Sequence, residues 1–544
     1  MLYKDLLVPL PESKIVYRNQ PNGTVSVYYR TRTFRNKKGQ PDNEMVCIGK
    51  KDDSSGKLIP NPSYFKYFPE SNHLNPNVSN NILYTPQDSS IPKQILNCGN
   101  SIALFEIANH IGLTDALKNN FSDKWGHILA AAFYNTSEGN VMMYIKDWFE
   151  NTYIEFTSSM TEGDCSKLFV SFEDVEINLF FTDWIRLHGD QKHTAYDVTS
   201  ISSYSQNIDF VEWGYNRDND NLPQINFGMF YGVTSGIPVY YQTYAGSIPD
   251  TVCLEYMLIC AKDLGIVDTN FVFDCCFVTE DNFNFMFNHN IPFTTAMPGN
   301  RDIVDELINS VKNDIEKSEN MIRKYNIYGV KRQISLYGHK LQVHIYFDPK
   351  RRALEIENAY NLIDKLEAEL NKISRSNQIT KRFKDIFDID EQSKSKFSYE
   401  INNVKIDEKL KKAGYFILLN TNDKTSCEET LEVYRKKDCV EKGFSNFKNG
   451  LGGDNTRVHS SKAWTGKMFV TFIALILRTC IKNLLKINKE TKKMTIDKAM
   501  IQLKNIRTVT MSDNRKILMP LTKTQKCILS ALNVNIEKVV GKFM

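Results

Sequence analysis

The chain has 544 residues, 42% of them hydrophobic and 24% charged, which is typical of a folded protein with two to four domains. No apolar run approaches the ~20 residues of a membrane span and no signal-peptide core is present, so we expect no membrane association. The eleven cysteines include no CxxC pair, which argues against a zinc site or a disulfide framework and favours a reducing, cytoplasmic compartment.

The net charge of +4 is unevenly distributed along the chain. Residues 441–544 contain 20 Lys and Arg against 6 Asp and Glu, so this segment carries +14 and the rest of the chain carries −10. A basic C-terminal fifth suggests a polyanionic partner. A solvated, lysine-rich helical face would give the same count, so charge opens a nucleic-acid hypothesis without deciding it.

The first 187 residues divide into two segments of different periodicity. Residues 1–95 alternate polar and apolar positions between turn-rich stretches, which predicts a β-rich N-terminal arm. Residues 96–187 carry apolar residues at helical spacing, which predicts a helical domain. Such a domain either binds DNA or only packs against the core, and the pattern does not separate the two.

Residues 188–300 show the clearest order of elements. After three predicted strands comes a helix from about residue 250, then a strand, a short helix and a fifth strand. The predicted strands cover residues 193–205, 224–233, 239–246, 270–276 and 291–298. This α/β order, β-β-β-α-β-α-β followed by a later helix, is that of a ribonuclease H-like core, in which strands one and four lie side by side.

Two aspartates fall on these neighbouring strands: Asp197 on strand one and Asp274 at the end of strand four. A carboxylate taken out of water is destabilised by several kcal/mol unless a partner offsets it. Two carboxylates a few ångströms apart repel unless cations bridge them, and nucleases and polymerases use two divalent ions ~3.5–4 Å apart. For Asp274 alone, the alternative is a strand-end residue that caps the next turn.

The remaining chain is predicted to interrupt and then complete this core. Residues 301–412 are charged, contain two strands joined at Gly338 and a long amphipathic helix, and are expected to form an insertion domain. Residues 413–544 start with a buried strand and are expected to supply the second part of the core and a basic helical region.

A helix predicted over 428–451 has a buried face and a polar stripe. The residues spaced for burial are Val440, Phe444, Phe447 and Leu451. The residues of the stripe, whose bearings fall within roughly 60° of one another, are Tyr434, Lys437, Glu441 and Lys448. The stripe could complete a metal site and hold DNA phosphates, or it could be a mixed-charge solvated face.

With these residues in place, the sequence resembles the insertion-sequence DDE transposases of the hairpin-forming, cut-and-paste type. Their signature, Tyr-x2-Arg-x3-Glu-x6-Lys, matches the stripe in spacing, with Lys437 in place of the arginine and Arg435 nearby. Lysine keeps the charge but loses the two-pronged phosphate contact of arginine. The segments YDVTSISSYS, FVFDCCFVTEDNF and RVHSSKAWTGKMFV also resemble family motifs, and the likeness extends over most of the chain.

The resemblance implies a transposase that cuts transposon ends and transfers the strands into target DNA. It implies two Mg²⁺ ions, replaceable by Mn²⁺, held by the catalytic residues Asp197, Asp274 and Glu441. The residues it implies as DNA contacts are Tyr434, Lys437, Lys448, Arg435 and Arg217. Double-stranded DNA is the expected partner, with a homodimer in a synaptic complex and a cytoplasmic, nucleoid-associated location.

Two other functions remain open from the sequence. One is a ribonuclease H-like nuclease that only hydrolyses DNA. The other is a domesticated DNA-binding protein without catalysis, against which the presence of all three carboxylates argues.

Overall fold

The structure is a computed structural model of the chain, and it describes most of the 544 residues. The described ranges are 6–21, 23–36, 39–74, 91–190, 192–216, 221–266, 269–373, 379–393, 396–454 and 457–543. They form two compact units, one of residues 1–93 with 511–514 and the other of residues 94–510 with 515–544.

The first unit is a four-stranded antiparallel sheet in the order β1-β2-β3-β4 with one short helix. Its elements are β1 Ile15–Asn19, β2 Val25–Arg35, β3 Pro41–Lys51, β4 Leu58–Pro60 and α1 Pro62–Tyr67. Asn61 begins the helix because its side-chain oxygen accepts from the backbone N–H groups of Ser63 and Tyr64. Apolar side chains such as Val27 and Ile48 are fully buried and form a small core of their own.

The second unit begins with one strand and six helices, in agreement with the helical periodicity of residues 96–187. Their bounds are β5 Pro92–Asn97, α2 Gly99–His110, α3 Leu113–Asn120, α4 Trp125–Ser137, α5 Ile145–Asn151, α6 Glu162–Val170 and α7 Asp174–His188. Helix α6 starts with a capping box in which Thr161 and Asp164 exchange hydrogen bonds. Phe180, Phe181 and Trp184 of α7 are buried, so this helix packs its apolar face into the main core.

A nine-stranded mixed sheet lies at the centre of this unit, in the order β11-β12-β13-β16-β10-β9-β6-β7-β8. The predicted core elements are present as β6 His193–Ser202, β7 Gln224–Gly232, β8 Pro238–Ala245, α8 Asp250–Asp263, β9 Asn270–Phe273, α9 Glu280–Asn288 and β10 Phe293–Ala296. Strand β7 is antiparallel to β6 and β8, while β9 pairs in parallel with β6 and β10. The predicted neighbourhood of strands one and four is therefore present.

Residues 301–412 divide into a part that extends this sheet and a part that packs separately. Their elements are α10 Asp302–Val311, β11 Met321–Ile322, β12 Ile327–Leu336, β13 His339–Phe347, α11 Pro349–Leu370, α12 Lys381–Lys384, β14 Phe387–Ser393, β15 Lys396–Ile401 and α13 Asn403–Lys411. The hairpin β12–β13, joined at Gly338 as predicted, adds to the central sheet through β16. Helix α11 and the elements after it bury a second small cluster around Leu366 and Phe383. The limits of the insertion remain a prediction.

The rest of the chain adds one strand to the central sheet and continues with helices. The bounds are β16 Tyr415–Asn420, α14 Cys427–Lys436, α15 Asp438–Ser445, α16 Ser461–Ile487, α17 Ile496–Lys504, β17 Arg507–Met511, β18 Lys516–Leu518, α18 Lys523–Ala531 and α19 Ile536–Gly541. Of these helices, α14, α15 and α16 contact strands of the central sheet. Strands β18, β17 and β5 form a three-stranded sheet. Of the described helices, α16 alone is long and apolar enough to cross a membrane, and 83% of its apolar window is buried inside the protein.

The single helix predicted over 428–451 is wrong in detail, because the structure divides it into α14, α15 and a π-helical turn, Asn446–Gly450. At Lys437 the backbone N–H bonds the carbonyl of Tyr434, three residues back, so the turn tightens between α14 and α15. The π turn widens the backbone again where Gly450 lies against the guanidinium of Arg478. The four residues spaced for burial, Val440, Phe444, Phe447 and Leu451, are nevertheless all buried.

Candidate active site

The first pair of carboxylates is placed by the register of two parallel strands. Ala195 of β6 lies opposite Val272 of β9, so two residues further along Asp197 comes level with Asp274. The side chain of Asp197 is 7% exposed, and its Oδ1 accepts from the backbone N–H of Val198 at 2.9 Å. Parallel neighbours lie about 4.8 Å apart, so the two aspartates lie side by side in the interior of the sheet, where β9 ends and β6 continues.

Asp274 does not act as a cap for the turn that follows it. It precedes the short turn Cys275–Phe277 in extended conformation, and its side chain makes no capping hydrogen bond there. Instead its Oδ1 accepts a hydrogen bond from the hydroxyl of Tyr434 at 3.1 Å. The carboxylate therefore turns away from its own backbone and toward the helix pair α14–α15.

A buried ammonium lies between Asp274 and Glu441. The Nζ of Lys437 is 2.9 Å from Oε1 of Glu441 and 3.5 Å from Oδ1 of Asp274. The side chain of Lys437 is 3% exposed, whereas those of Asp274 and Glu441 are 43% and 54% exposed. The two carboxylates thus share one cation while keeping open access from solvent.

The pKa of Lys437 reflects the negative charge of the carboxylates around it. Burial lowers the pKa of Lys437, but the carboxylates of Asp197, Asp274 and Glu441 raise it, and the net pKa lies above that of an ordinary lysine. Burial and the neighbouring carboxylate of Asp274 also raise the pKa of Tyr434, so its hydroxyl stays protonated as a donor. All three acidic residues therefore act on the same ammonium.

Helix α15 is held at the sheet by aromatic packing and by a glycine. Phe447 stacks on Phe227 of β7 with ring centroids 4.9 Å apart, and Val440 and Phe444 are buried beside it. Gly443 lies directly against the ring of Tyr231, where a Cβ atom would overlap the tyrosine. Because Glu441 is only two residues from this contact, the close approach of helix and strand sets its distance from the aspartates.

The donor set fits a divalent metal ion such as Mg²⁺ in its chemistry. Carboxylate oxygens are the ligands that Mg²⁺ prefers, and three carboxylates gather here around one positive charge. As the side chains stand, no three His, Cys, Asp or Glu residues within the described ranges are close enough to hold an ion. Because Asp274 and Glu441 are half exposed, their carboxyl groups have room to turn toward a shared cation.

The predicted DNA-contacting residues lie in different places. Tyr434 and Lys437 belong to the carboxylate cluster just described. Lys448 lies, half-buried, in the π-helical turn that follows α15. Arg435 is exposed on another face of α14, with its guanidinium 4.5 Å from the ring centroid of Tyr325. Arg217 lies outside the described residues.

The face of α14–α15 that carries Arg435 borders a groove that the sequence did not reveal. We call it the basic groove: a cavity of about 550 Å³ next to the turn 234–236. Its cationic residues are Arg435, Lys436, Lys442, Lys482 and Lys486. In the sequence, the excess of basic residues in 441–544 indicated a positively charged surface, but it did not show which lysines lie close together.

The charges in the basic groove are only partly neutralised. Lys442 pairs with Asp438, and Lys436 pairs with Glu432 at 3.0 Å. Burial lowers the pKa of Lys482, and the charges of Lys486 and Lys442 lower it further. Like charges that depress one another's protonation create a positive potential that favours an anion.

Comparison with known proteins assigns the family. A family model described as the transposase DDE domain matches residues 188–477, more than half of the chain. The chain belongs to this family of DDE transposases. Among solved structures it is similar to a piggyBac transposase synaptic complex with hairpin DNA, at 10% identity, covering 82% of this chain and 71% of that chain, with a TM-score of 0.34. No curated protein matches.

Proposed function

We propose that this protein is a DNA transposase that cuts the ends of its element and joins them to target DNA with the help of divalent metal ions. The observation that carries the proposal is the gathering of Asp274 and Glu441 around the buried ammonium of Lys437, beside Asp197. The strand order β8-β7-β6-β9-β10 supports a ribonuclease H-like core, and the spacing of Tyr434, Lys437, Glu441 and Lys448 supports the hairpin-forming subgroup.

In this proposal Asp197, Asp274 and Glu441 hold two Mg²⁺ ions, with Mn²⁺ as a substitute. The bound ions would supply Lewis-acid activation of the phosphodiester and of the attacking oxygen. Tyr434 fixes the orientation of the Asp274 carboxylate through its hydrogen bond. Lys437 balances the charge of the cluster and links the carboxylates of Asp274 and Glu441.

The proposed partner is double-stranded DNA, at the transposon ends and at the target. Lys448 and Arg435 would contact phosphates, and the basic groove would extend this contact along the backbone on the other face of α14–α15. We also propose a homodimer in the synaptic complex, since two ends must be processed together, and a cytoplasmic, nucleoid-associated location without membrane contact.

The test uses the full chain, Mg²⁺ or Mn²⁺, a duplex carrying the DNA that flanks the gene, and a plasmid as target. We expect the wild type to cut the duplex and to give joined products. Asp197→Asn, Asp274→Asn and Glu441→Gln should each reduce cutting at least about 1000-fold, because a metal ligand is lost, and should leave DNA binding nearly unchanged. Asp281→Asn, an exposed carboxylate on α9, is the matched control and should cut normally.

Each alternative predicts a different result in the same assay. Normal cutting by any one of the three variants would remove that residue from the proposed site. Cutting without joined products would indicate a nuclease that only hydrolyses. Binding without cutting in either metal would indicate a DNA-binding protein without catalysis.

A further inference from the structure

The loop between β6 and β7 exposes large aromatic rings to solvent. Trp213 is 65% exposed, and Tyr204 and Tyr215 are more exposed still. No ring contact joins Trp213 or Tyr215 to another aromatic side chain within the described part of the chain. By contrast, the tryptophans of the core are buried. They are Trp148, Trp184 and Trp464.

The backbone that carries these rings is fixed. Glu212 and Gln224 exchange backbone hydrogen bonds of 3.0 and 2.8 Å, and the side-chain amide of Gln224 donates to the carbonyl of Tyr215 at 2.7 Å. Between the two rings, Gly214 lies so close to Gly246 that a Cβ atom would overlap its carbonyl oxygen. The glycine therefore faces the protein while its two neighbours present their rings to solvent.

Fixed and exposed aromatic rings are suited to stacking on a flat, partly polar ligand. Exposing a large ring to water loses the stabilisation that its burial would give, and a rigid backbone removes much of the entropy that binding would otherwise lose. Nucleobases are such ligands, and each base stacked on an aromatic side chain strengthens binding without requiring a particular sequence.

The position of the rings relates them to the carboxylates. Glu212, next to Trp213, pairs with Gln224, and Gln224 lies opposite Ser202, five positions after Asp197 on β6. At about 3.3 Å per residue, Ser202 and the backbone at Glu212 lie roughly 17 Å beyond Asp197 along the strand direction. One DNA strand rises about 3.4 Å per nucleotide in a duplex and more when it is unpaired and extended, so this distance corresponds to at most about five nucleotides.

We propose that Trp213 and Tyr215 form a stacking site for unpaired bases of a DNA strand that passes the carboxylates, at most about five nucleotides from the reacting phosphate. The proposal rests on the proposed function for the identity of the polymer. It adds to that function a preference for DNA that is locally unpaired.

The test measures binding of the full chain to a twelve-residue oligothymidylate and to a fully paired duplex of twelve base pairs. We expect the oligothymidylate to quench the emission of the wild type, because Trp213 is far more exposed than the buried tryptophans. Trp213→Ala should weaken binding of the oligothymidylate roughly 5- to 150-fold, whereas Trp213→Phe should retain most of it. Binding of the paired duplex should be the same in all three proteins.

Controls separate stacking from damage to the fold and from loss of catalysis. Tyr360→Ala removes a ring of similar exposure from α11 and should leave both affinities unchanged. Tyr215→Ala provides a second variant if Trp213→Ala does not fold. Binding requires no cleavage, so the result stands apart from the cleavage assay. Equal weakening for the oligothymidylate and the duplex, or no weakening in either ring variant, would overturn the proposal, as would a change only in the oligomeric state.

Discussion

The two faces of the helix pair α14–α15 contrast in how their charges are balanced. On one face, the ammonium of Lys437 is buried between Asp274 and Glu441 and near Asp197, so each charge has an opposite charge close by. On the other face, the basic groove brings Lys482 and Lys486 together with Lys442, and their charges oppose one another.

This contrast shows that one helix pair can contribute to two different binding sites, one for a cation and one for an anion. The carboxylate face is assembled around an internal cation, so a metal ion that replaced this charge would need only a turn of the half-exposed carboxyl groups of Asp274 and Glu441. The basic groove has unbalanced positive charge, so it is stabilised when an anion such as a phosphate enters. We expect variants on the first face to affect stability and metal response, and variants on the second to affect the salt dependence of DNA binding.

The largest effect should come from removing the internal cation with Lys437→Met. Loss of the charge leaves three carboxylates to repel one another, and we expect the free energy of unfolding to fall by about 1.5–3 kcal/mol without metal. Added Mg²⁺ should restore part of the loss, because it replaces the missing positive charge. Chemical denaturation with and without Mg²⁺ measures both values.

Lys436→Met is the matched control for this experiment. Lys436 is half exposed and pairs with Glu432, so its replacement should change stability by less than about 1 kcal/mol in either condition. An equal loss for Lys437→Met with and without Mg²⁺ would contradict the account of Lys437 as a charge that a metal can replace.

A smaller effect on stability should follow Gly443→Ala, which forces α15 away from Tyr231. We expect a loss of about 1 kcal/mol from overpacking, together with slower cutting, because Glu441 moves with the helix. Gly163→Ala places a methyl group at an open position in α6 and should leave stability unchanged or raised. Normal cutting by Gly443→Ala would show that this contact does not position Glu441.

The smallest effect on stability, but a distinct one on binding, should come from the double variant Lys482→Gln, Lys486→Gln. Each lost phosphate contact should reduce the slope of log affinity against log salt concentration by about 0.9 for duplex DNA. The double variant Lys492→Gln, Lys493→Gln removes two exposed lysines outside the groove and serves as the control. An unchanged slope in the groove variant would exclude phosphate contacts there.

Much of the core could be predicted because it depends on local patterns. Two strand-like runs on either side of the tight turn 235–238 predicted the hairpin β7–β8, and the apolar spacing of Val440, Phe444 and Phe447 predicted the buried face of α15 and of the turn after it. The parallel pairing of β6 and β9 followed from the order of elements, and it is this pairing that brings Asp197 level with Asp274.

The remaining features depend on contacts between distant parts of the chain. The basic groove joins the turn 234–236 to Lys482 and Lys486 of α16, and no local pattern relates these segments. The hairpin β12–β13 was predicted as a pair, but alternation cannot say that it joins the central sheet. The break at Lys437 was also missed, since both halves of the helix keep helical spacing.

The central claim is that Asp197, Asp274 and Glu441 share metal ions, and a crystal structure of the protein with bound Mn²⁺ tests it most directly. Anomalous scattering locates Mn²⁺ without reference to the protein coordinates. We predict an anomalous peak within about 2.0–2.3 Å of carboxylate oxygens from all three residues, with the ammonium of Lys437 displaced from between Asp274 and Glu441. A map with no peak at these carboxylates, at Mn²⁺ concentrations that support cutting, would contradict the account.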